Sequence, residues 1–353
     1  MESRHSAVPT IEKDSLFKAV VAVVIPCFRV SGTILSLVRE VLRENIVSMV
    51  FCVDDACPDH SGALAREAFR NDSRVRVICM PTNRGVGGAT KVGYQAAIIA
   101  GANIIVKLDG DGQMTPRHIA DLISPIDRGE ADYVKGNRFF SLSSVSSMPF
   151  VRKIGNAALS FFNKLSSGYW NLFDPTNGYT AIEARVAAQI PLDKVRNRFF
   201  FEQDMLFRLS TIRARVVEMP MTAVYGDEKS NLNVFHALFR FPVFHLINGS
   251  KRVFYNYFLR NFSLASINLI LGFPFLLTGV GFGAFQWSMS IANERAATAG
   301  TVMLAALPII LGIQFLLNFL AYDMAMVPTE AVHPKLPHIK TTERFSDPYG
   351  NAG

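Results

Sequence analysis

Charge and cysteine are both scarce in this sequence. Only 18 % of its 353 residues are Asp, Glu, Lys or Arg, against roughly 25 % in an ordinary soluble domain, while 50 % are hydrophobic. That balance excludes a disordered chain and a collagen-like one. Cysteine is confined to Cys27, Cys52, Cys57 and Cys79, so most of the chain has nothing to staple it and a disulfide scaffold is excluded. There is no CxxC pair to suggest structural zinc. The N-terminal residues are polar and lack the apolar core of a secretory signal.

The lack of charge is most informative where it is complete. Asn261 to Asn293 contains no charged residue, nor does Ala296 to Tyr322, and only Glu294-Arg295 separates them. Crossing about 30 Å of hydrocarbon takes roughly 20 helical residues, so each run is long enough to span a bilayer, with the break as a turn at the far surface. A helical hairpin buried in a large soluble core is the alternative. Gly279-Val-Gly-Phe-Gly283 reads either as close packing against the partner span or as a break near the far interface. The net charge of +7 has a place too. Lys229, Arg240, Lys251, Arg252 and Arg260 precede the first span without an acidic residue among them, and Lys335, Lys340 and Arg344 follow the second. By the positive-inside rule both termini face the cytoplasm, giving a multi-pass protein of the inner (plasma) membrane whose basic flanks meet lipid headgroups. The charge follows the membrane boundary, and no basic-aromatic groove for nucleic acid is evident. The expected divisions are a flexible start (1–18), an α/β domain (19–232), amphipathic juxtamembrane helices (233–259), a hairpin (260–327) and a cytoplasmic tail (328–353). A packed helix of the soluble part is the alternative for residues 233–259. Small-residue faces on the spans allow a homo-oligomer.

Before the hairpin the pattern alternates. "AVVAVVIPCF" is a strand buried on both faces; Ile34, Leu37, Val38 and Val41 fall at helical spacing; "IVSMVFCVDD", "VRVICM" and "NIIVKLDGDGQ" are further strands, with helices at "SGALAREAFR" and "GGATKVGYQAAIIAG". "ADYVKGNRFF" adds a strand. A serine-rich loop then becomes an apolar helix, "FDPTNGYTAIEARV" turns into a short strand, "FFFEQDMLFRL" is a helix, and "ARVVEMPM" is an outer strand. Such alternation predicts a mostly parallel sheet covered by helices, which collects ligands at the carboxyl ends of its strands.

Several chemically pointed groups fall at those ends. Asp109-Gly-Asp111 can turn two carboxylates toward one hard cation, with Gln113 as a further oxygen, and Mg²⁺ or Mn²⁺ commonly combines few carboxylates with substrate phosphate. A solvated acidic turn is the alternative. "NRGVGGATKVGY" opens a helix on glycines, which suits a phosphate cradle or close packing of helix on sheet, with Arg84 and Lys91 as nearby charges. Arg138 and Arg152 offer guanidinium forks for phosphate. Glu202 and Asp204, two apart, cannot share a helix face, so one is expected to point into the cleft and the other to brace a neighbouring loop.

Together these segments resemble the inverting family-2 glycosyltransferases of GT-A fold, and among them the membrane-bound polyprenyl-phosphate and dolichyl-phosphate sugar transferases, over roughly residues 20–325. "VVIPCF" is similar to the first-strand nucleoside motif, "CVDDACPD" to the second-strand acidic motif, "NRGVGGATKVGY" to the family's N-x-G-x-G-x-A-x-x-x-G segment and "LDGDGQ" to its metal motif. "GNRF" with Arg152 is similar to phosphate-holding positions, and "DPTNGY" and "FEQDML" to the acceptor-side loop and acidic helix. The resemblance implies a nucleotide site at Pro26, Phe28, Arg29, Asp54, Asp55, Gly88, Lys91, Asp109 and Gly110, and a metal site for Mg²⁺ or Mn²⁺ at Asp109, Asp111 and Gln113. It further implies catalytic roles for Asp109, Asp111, Glu202 and Asp204, and acceptor or phosphate contacts at Arg138, Arg152, Asn177 and Lys229. Arg29-Val30 stands where relatives often have Asn-Glu, and "YGDEKSN" departs from R-x-x-G-x-S-K. The implied reaction moves a sugar from a nucleotide diphosphate sugar, of UDP-sugar or GDP-mannose type, to a polyprenyl phosphate. Transfer to a growing polysaccharide or another hydroxyl acceptor is the alternative.

Overall fold

The first apolar run forms strand β1 (Val21–Cys27), all seven residues of it buried. Its side chains explain the absence of polar alternation. Val21, Val23 and Ile25 enter one core, Ala22 and Val24 the other, so both faces of the strand are covered. The structure, a computed structural model, describes residues 19–140, 150–221 and 234–338. Among them β1, β2 (Val47–Asp54), β3 (Val75–Cys79), β4 (Ile104–Lys107), β5 (Tyr133–Asn137), β6 (Thr180–Glu183) and β7 (Val216–Pro220) make one sheet, in the order β3-β2-β1-β4-β6-β5-β7. All neighbours are parallel except β6, which runs antiparallel to both β4 and β5. The strand expected to be outermost, β7, is at the edge.

Helices α1 (Ile34–Arg43), α2 (Ser61–Ala68) and α4 (Ile119–Asp127) cover one face. The four apolar residues spaced along α1 are its four buried ones. Helix α3 (Val86–Ile99), the short α6 (Ala184–Gln189) and α7 (Phe201–Thr211) cover the other face, joined at its edge by α5 (Phe150–Ser167). Helix α4 has no counterpart among the sequence expectations. Pro116 just ahead of it and Pro125 inside it are residues that normally punctuate a helix, and they masked its period.

Beyond the sheet, α8 (Val234–Phe254) is packed against the sheet domain along one side. Its inner side packs on α5 and α7: His245 Nδ1 lies 2.7 Å from Ser166 Oγ, the imidazole stacks on Phe162, and Asn248 donates to Asp204 at 2.8 Å. The outer side exposes Val243, Leu246 and Ile247. A π-helical turn, Tyr255–Arg260, then leads to α9 (Leu264–Ala292), which opens with a reciprocal capping box between Ser263 and Ser266. Helix α10 (Ala299–Ala325) returns alongside it.

Both helices are long and apolar enough to cross a membrane, and only 28 % and 6 % of their most apolar windows are buried. Leu277, Phe285, Trp287, Leu304 and Ile310 all point outward. That exposure removes the alternative of a hairpin buried in a soluble core. The glycines close the hairpin: a Cβ on Gly279 would lie 2.8 Å from Ile309 N, and one on Gly312 2.6 Å from Leu276 N. Gly281 touches nothing within 4 Å and α9 is continuous, so close packing at Gly279 is the correct reading of that run and a break is not.

Two attachments hold the hairpin to the sheet domain. Asp323, near the end of α10, accepts from both Arg252 Nη atoms at 2.6 and 2.9 Å, from Trp170 Nε1 at 2.8 Å and from the Tyr257 hydroxyl. The chain after α10 then lies back on the domain, where Asp132 accepts the backbone N–H of Val332 and His333 and that of Arg215.

Burial pushes the His245 imidazole down to about 4 from its ordinary 6.5. It is therefore neutral when docked, and the unfolded chain binds its proton first. Stability is full above about pH 6.5 and is lost as pH falls from there toward 4, by about 3 kcal/mol. Protection of the α8 amides, taken as exchange relative to the intrinsic rate at each pH, is expected to fall as pH drops across that window, whereas His245→Phe should flatten the dependence.

Candidate active site

The carboxyl ends of β1, β2 and β4 come together in the parallel part of the sheet, and their loops are fastened to one another. Thr33 donates to the Gly110 carbonyl at 2.7 Å, and a Cβ on Gly110 would lie 3.0 Å from the Pro26 carbonyl, so the acidic turn after β4 rests against the loop after β1. Phe28 and Arg29 project from that loop, exposed, with the guanidinium 5.5 Å from the ring centre. Cys57 and Asp59 clip the loop to the one after β2: Arg29 N donates to Cys57 Sγ and Ser31 N to Asp59. Burial would raise Asp59, but the bonds from Cys57, Ser31 and Ser61 outweigh it and hold the carboxyl far below the usual range.

Asp54 and Asp55 sit where the sequence puts them, at the end of β2, and both are buried. Asp54 accepts from Cys57 N at 2.8 Å. Asp55 takes the backbone N–H of Arg84 and of Gly85, each at 2.7 Å, and so anchors the glycine-rich loop. Its removal from water nevertheless pushes its pKa up.

That loop shows the close packing of helix on sheet. Its amides are taken up by the protein itself: those of Arg84 and Gly85 by Asp55, and that of Gly88 by the Asn197 carbonyl at 2.9 Å. Lys91 reaches the Val195 carbonyl at 2.7 Å and the Asn197 side chain. A Cβ on Gly93 would lie 2.2 Å from Val24, and one on Gly87 2.6 Å from Phe201. The glycines let α3 lie close on β1 and α7, and Gly88 and Lys91, expected at the nucleotide, also hold the segment that leads into α7.

The centre of the site is a residue to which the sequence reading assigned no role. Lys107, the last residue of β4, is 1 % exposed, with its ammonium 2.8 Å from Asp109 and 2.9 Å from Glu202. Burial alone would lower its pKa; the two carboxylates outweigh that and drive it up. Glu202 is thus the acid of α7 that faces the metal motif. Asp204 braces, accepting from Arg196 N at 2.9 Å and Asn248 at 2.8 Å. The "DPTNGY" turn closes over this pair, since a Cβ on Gly178 would lie 2.3 Å from Asp109 Oδ2 and 2.6 Å from Lys107 Nζ.

On the β5 side Arg138 forms a two-pronged ion pair with the fully buried Asp174, at 2.8 and 3.0 Å. Asn177 is also fully buried, its amide spent on the Gly136 carbonyl and on Tyr179 N. It shapes the turn, and its side chain offers nothing to an acceptor in this arrangement. Lys135 donates to the Asn177 carbonyl, and burial lowers its pKa to about 8. Arg152 lies on α5 with its side chain outside the described residues, as does Lys229 entirely.

Among the described residues no group of three or more His, Cys, Asp or Glu side chains could hold a metal by itself. Asp109 is partly exposed, and Asp111 turns one oxygen to Gln113 N at 3.0 Å. Two carboxylates on an open turn fit a hard cation that completes its shell with substrate phosphate.

The Glycosyl transferase family 2 model matches residues 22–190. An undecaprenyl-phosphate mannosyltransferase of Micrococcus luteus is 33 % identical over 178 residues, 50 % of this chain and 72 % of that protein. The chain belongs to glycosyl transferase family 2. A UDP-N-acetylglucosamine–dolichyl-phosphate N-acetylglucosaminyltransferase of Methanococcus voltae is 28 % identical over 58 % of this chain and 85 % of its own length. Glucosyl-3-phosphoglycerate synthase of Mycobacterium tuberculosis, solved with Mn²⁺ and UDP, shares the GT-A-like fold at a TM-score of 0.50 and 17 % identity, over 70 % of this chain and 86 % of that one. The glycosyltransferase is thus an α/β enzyme with two candidate membrane spans attached.

Removing Lys107 from this glycosyltransferase leaves the buried Glu202 and the partly buried Asp109 facing each other without a cation between them. Lys107→Met is expected to cost about 3–5 kcal/mol in denaturant unfolding, and adding Glu202→Gln should return part of it. Gly178→Ala should fold yet lose about a hundredfold in transfer, because its methyl displaces Asp109 from Lys107.

Proposed function

We propose that this glycosyltransferase moves a sugar from a nucleotide diphosphate sugar to a polyprenyl phosphate at the cytoplasmic face of a membrane, with inversion at the anomeric carbon. The observation that carries the reading is the engagement of both α7 acids. Glu202 is paired with Lys107, and Asp204 is bonded to Arg196 N and Asn248. A hydroxyl acceptor needs a free general base to take its proton. A phosphate acceptor is already ionised near pH 7 and needs only alignment and stabilisation of the leaving group. The relatives named for transfer to undecaprenyl phosphate and dolichyl phosphate agree with this reading.

In the reaction an acceptor phosphate oxygen bonds to the anomeric carbon as the bond from that carbon to the β-phosphate oxygen breaks, and the nucleoside diphosphate leaves with the electron pair. Phe28 and Arg29, exposed at the mouth, are placed to meet the nucleoside. Lys107 fixes Asp109 against Glu202 from below. Asp109 and Asp111, with Gln113 beside them, would hold Mg²⁺ or Mn²⁺, which when bound neutralises the diphosphate as it departs. Arg138 is held in place by its two-pronged pair with Asp174, on the β5 side of the site, where it would face a phosphate. The two attachments of the hairpin put the ends of both spans beside the domain. With the basic flanks this supports a cytoplasmic catalytic domain over a two-span anchor.

The test is transfer of radiolabel from candidate nucleotide sugars, with divalent metal, by the detergent-purified full chain. Label is expected in the organic phase when polyprenyl phosphate is supplied; transfer only to an oligosaccharide acceptor would overturn the reading. Asp111→Asn is expected to reduce lipid transfer by about a hundredfold or more, with its metal dependence shifted to higher concentration.

A further inference from the structure

A second polar cavity lies far from the chemistry, where the hairpin joins the domain. It has a volume of about 50 Å³ and is lined by the end of α7, the π-helical turn and the end of α10, with Arg213, Arg252, Asn256, Tyr257 and Arg260 in its wall. At roughly 10–15 Å³ per water such a space holds about three to five waters or one phosphate group. It is not the acceptor's reactive site. Ser210, in its wall, is eight residues along α7 from Glu202, about 12 Å at 1.5 Å per residue.

Three observations bear on what it takes. Arg252 is 4 % exposed, and although both its Nη atoms are satisfied by Asp323 and the Leu165 carbonyl, its Nε–H has no partner. A buried guanidinium donor left open is costly unless something accepts from it. Asn256 Oδ1 is likewise buried without a donor. The charge in the wall is uncompensated: Asp323 cancels Arg252, while Arg213 and Arg260 remain, and no carboxylate among the described residues lines the cavity. Around it Phe254, Leu259 and Phe262 are exposed, and Arg260 lies 5.1 Å from the Tyr255 ring. The cavity therefore sits at the level where both candidate spans leave the apolar layer.

We infer that this cavity binds the headgroup of an anionic phospholipid, its phosphodiester held by Arg213 and Arg260 beside the buried Arg252, with a headgroup hydroxyl on the Asn256 side. The inference is independent of the identity of the sugar acceptor, because its test reads lipid binding and not transfer. The same phosphate chemistry could be met by free phosphate, and the experiment separates the two sources.

Native mass spectrometry of the full chain in micelles holding equal phosphatidylglycerol and phosphatidylcholine is expected to show one phosphatidylglycerol retained in preference. Arg213→Ala/Arg260→Ala should weaken that retention by about tenfold or more, and Asn256→Asp, which puts a carboxylate beside the phosphate, should do the same. Arg39→Ala/Arg43→Ala, on α1, should leave it unchanged. Equal retention of the two lipids by the native chain, unchanged preference in both cavity variants, or displacement of the lipid by excess inorganic phosphate would each overturn the assignment. Thermal melts of the variants show that they are folded. Should the double variant fail to fold, the Asn256→Asp result decides alone.

Discussion

Everything at the reaction centre depends on one buried ammonium. Lys107 ends a central strand with no access to water and is tolerable there only because Asp109 and Glu202 face it. The converse holds with equal force, since two carboxylates that close would repel if the lysine were absent. The pair therefore fixes the distance between the acidic turn after β4 and the start of α7, elements 95 residues apart in the chain. Gly178 lets the turn between them close without a side chain in the way. Around this core the remaining acids serve as fasteners: Asp55 for the glycine-rich loop, Asp59 for the loop after β1, Asp174 for Arg138, Asp204 for the approach to α7 and for α8.

Such a division of labour among carboxylates gives a pre-organised pocket. Groups that would otherwise rearrange on binding substrate already have their hydrogen bonds made, so less of the binding energy is consumed in ordering them. The exposed members, Phe28, Arg29 and the outer part of the Asp109–Asp111 turn, are the ones left to meet a ligand.

The sheet was legible because its signals are local. A strand buried on both faces reads as an unbroken apolar run, an amphipathic helix as Ile34, Leu37, Val38 and Val41, and an uncharged hairpin as two gaps in the charge pattern. The site was legible in its positions and less so in its roles. Asp54, Asp55, Asp109 and Glu202 are where strand ends and helix starts put them, but whether a carboxylate faces a ligand or a backbone amide depends on partners distant in sequence. Asp55 meets Gly85 thirty residues on, and Asp132 meets His333 across 201. The glycines of α3 signalled close approach without saying to what, and the neighbours are Val24 and Phe201. Lys107 carried a usable signal, a charge at the end of a strand otherwise fully apolar. A buried lysine implies a carboxylate partner, although nothing local says which.

The return of the chain after α10 to Asp132 changes what kind of mount the hairpin provides. A domain joined to its anchor at one end alone could swing about that joint and sweep a wide area of the bilayer. Here the covalent path into the first span and the hydrogen-bonded return from the second make two separate points of support. Two points remove a swivel and leave at most a rocking motion about the line between them. On the proposed membrane placement the height and tilt of the cleft above the lipid surface are then set by the protein, so a substrate anchored in the bilayer would do the travelling.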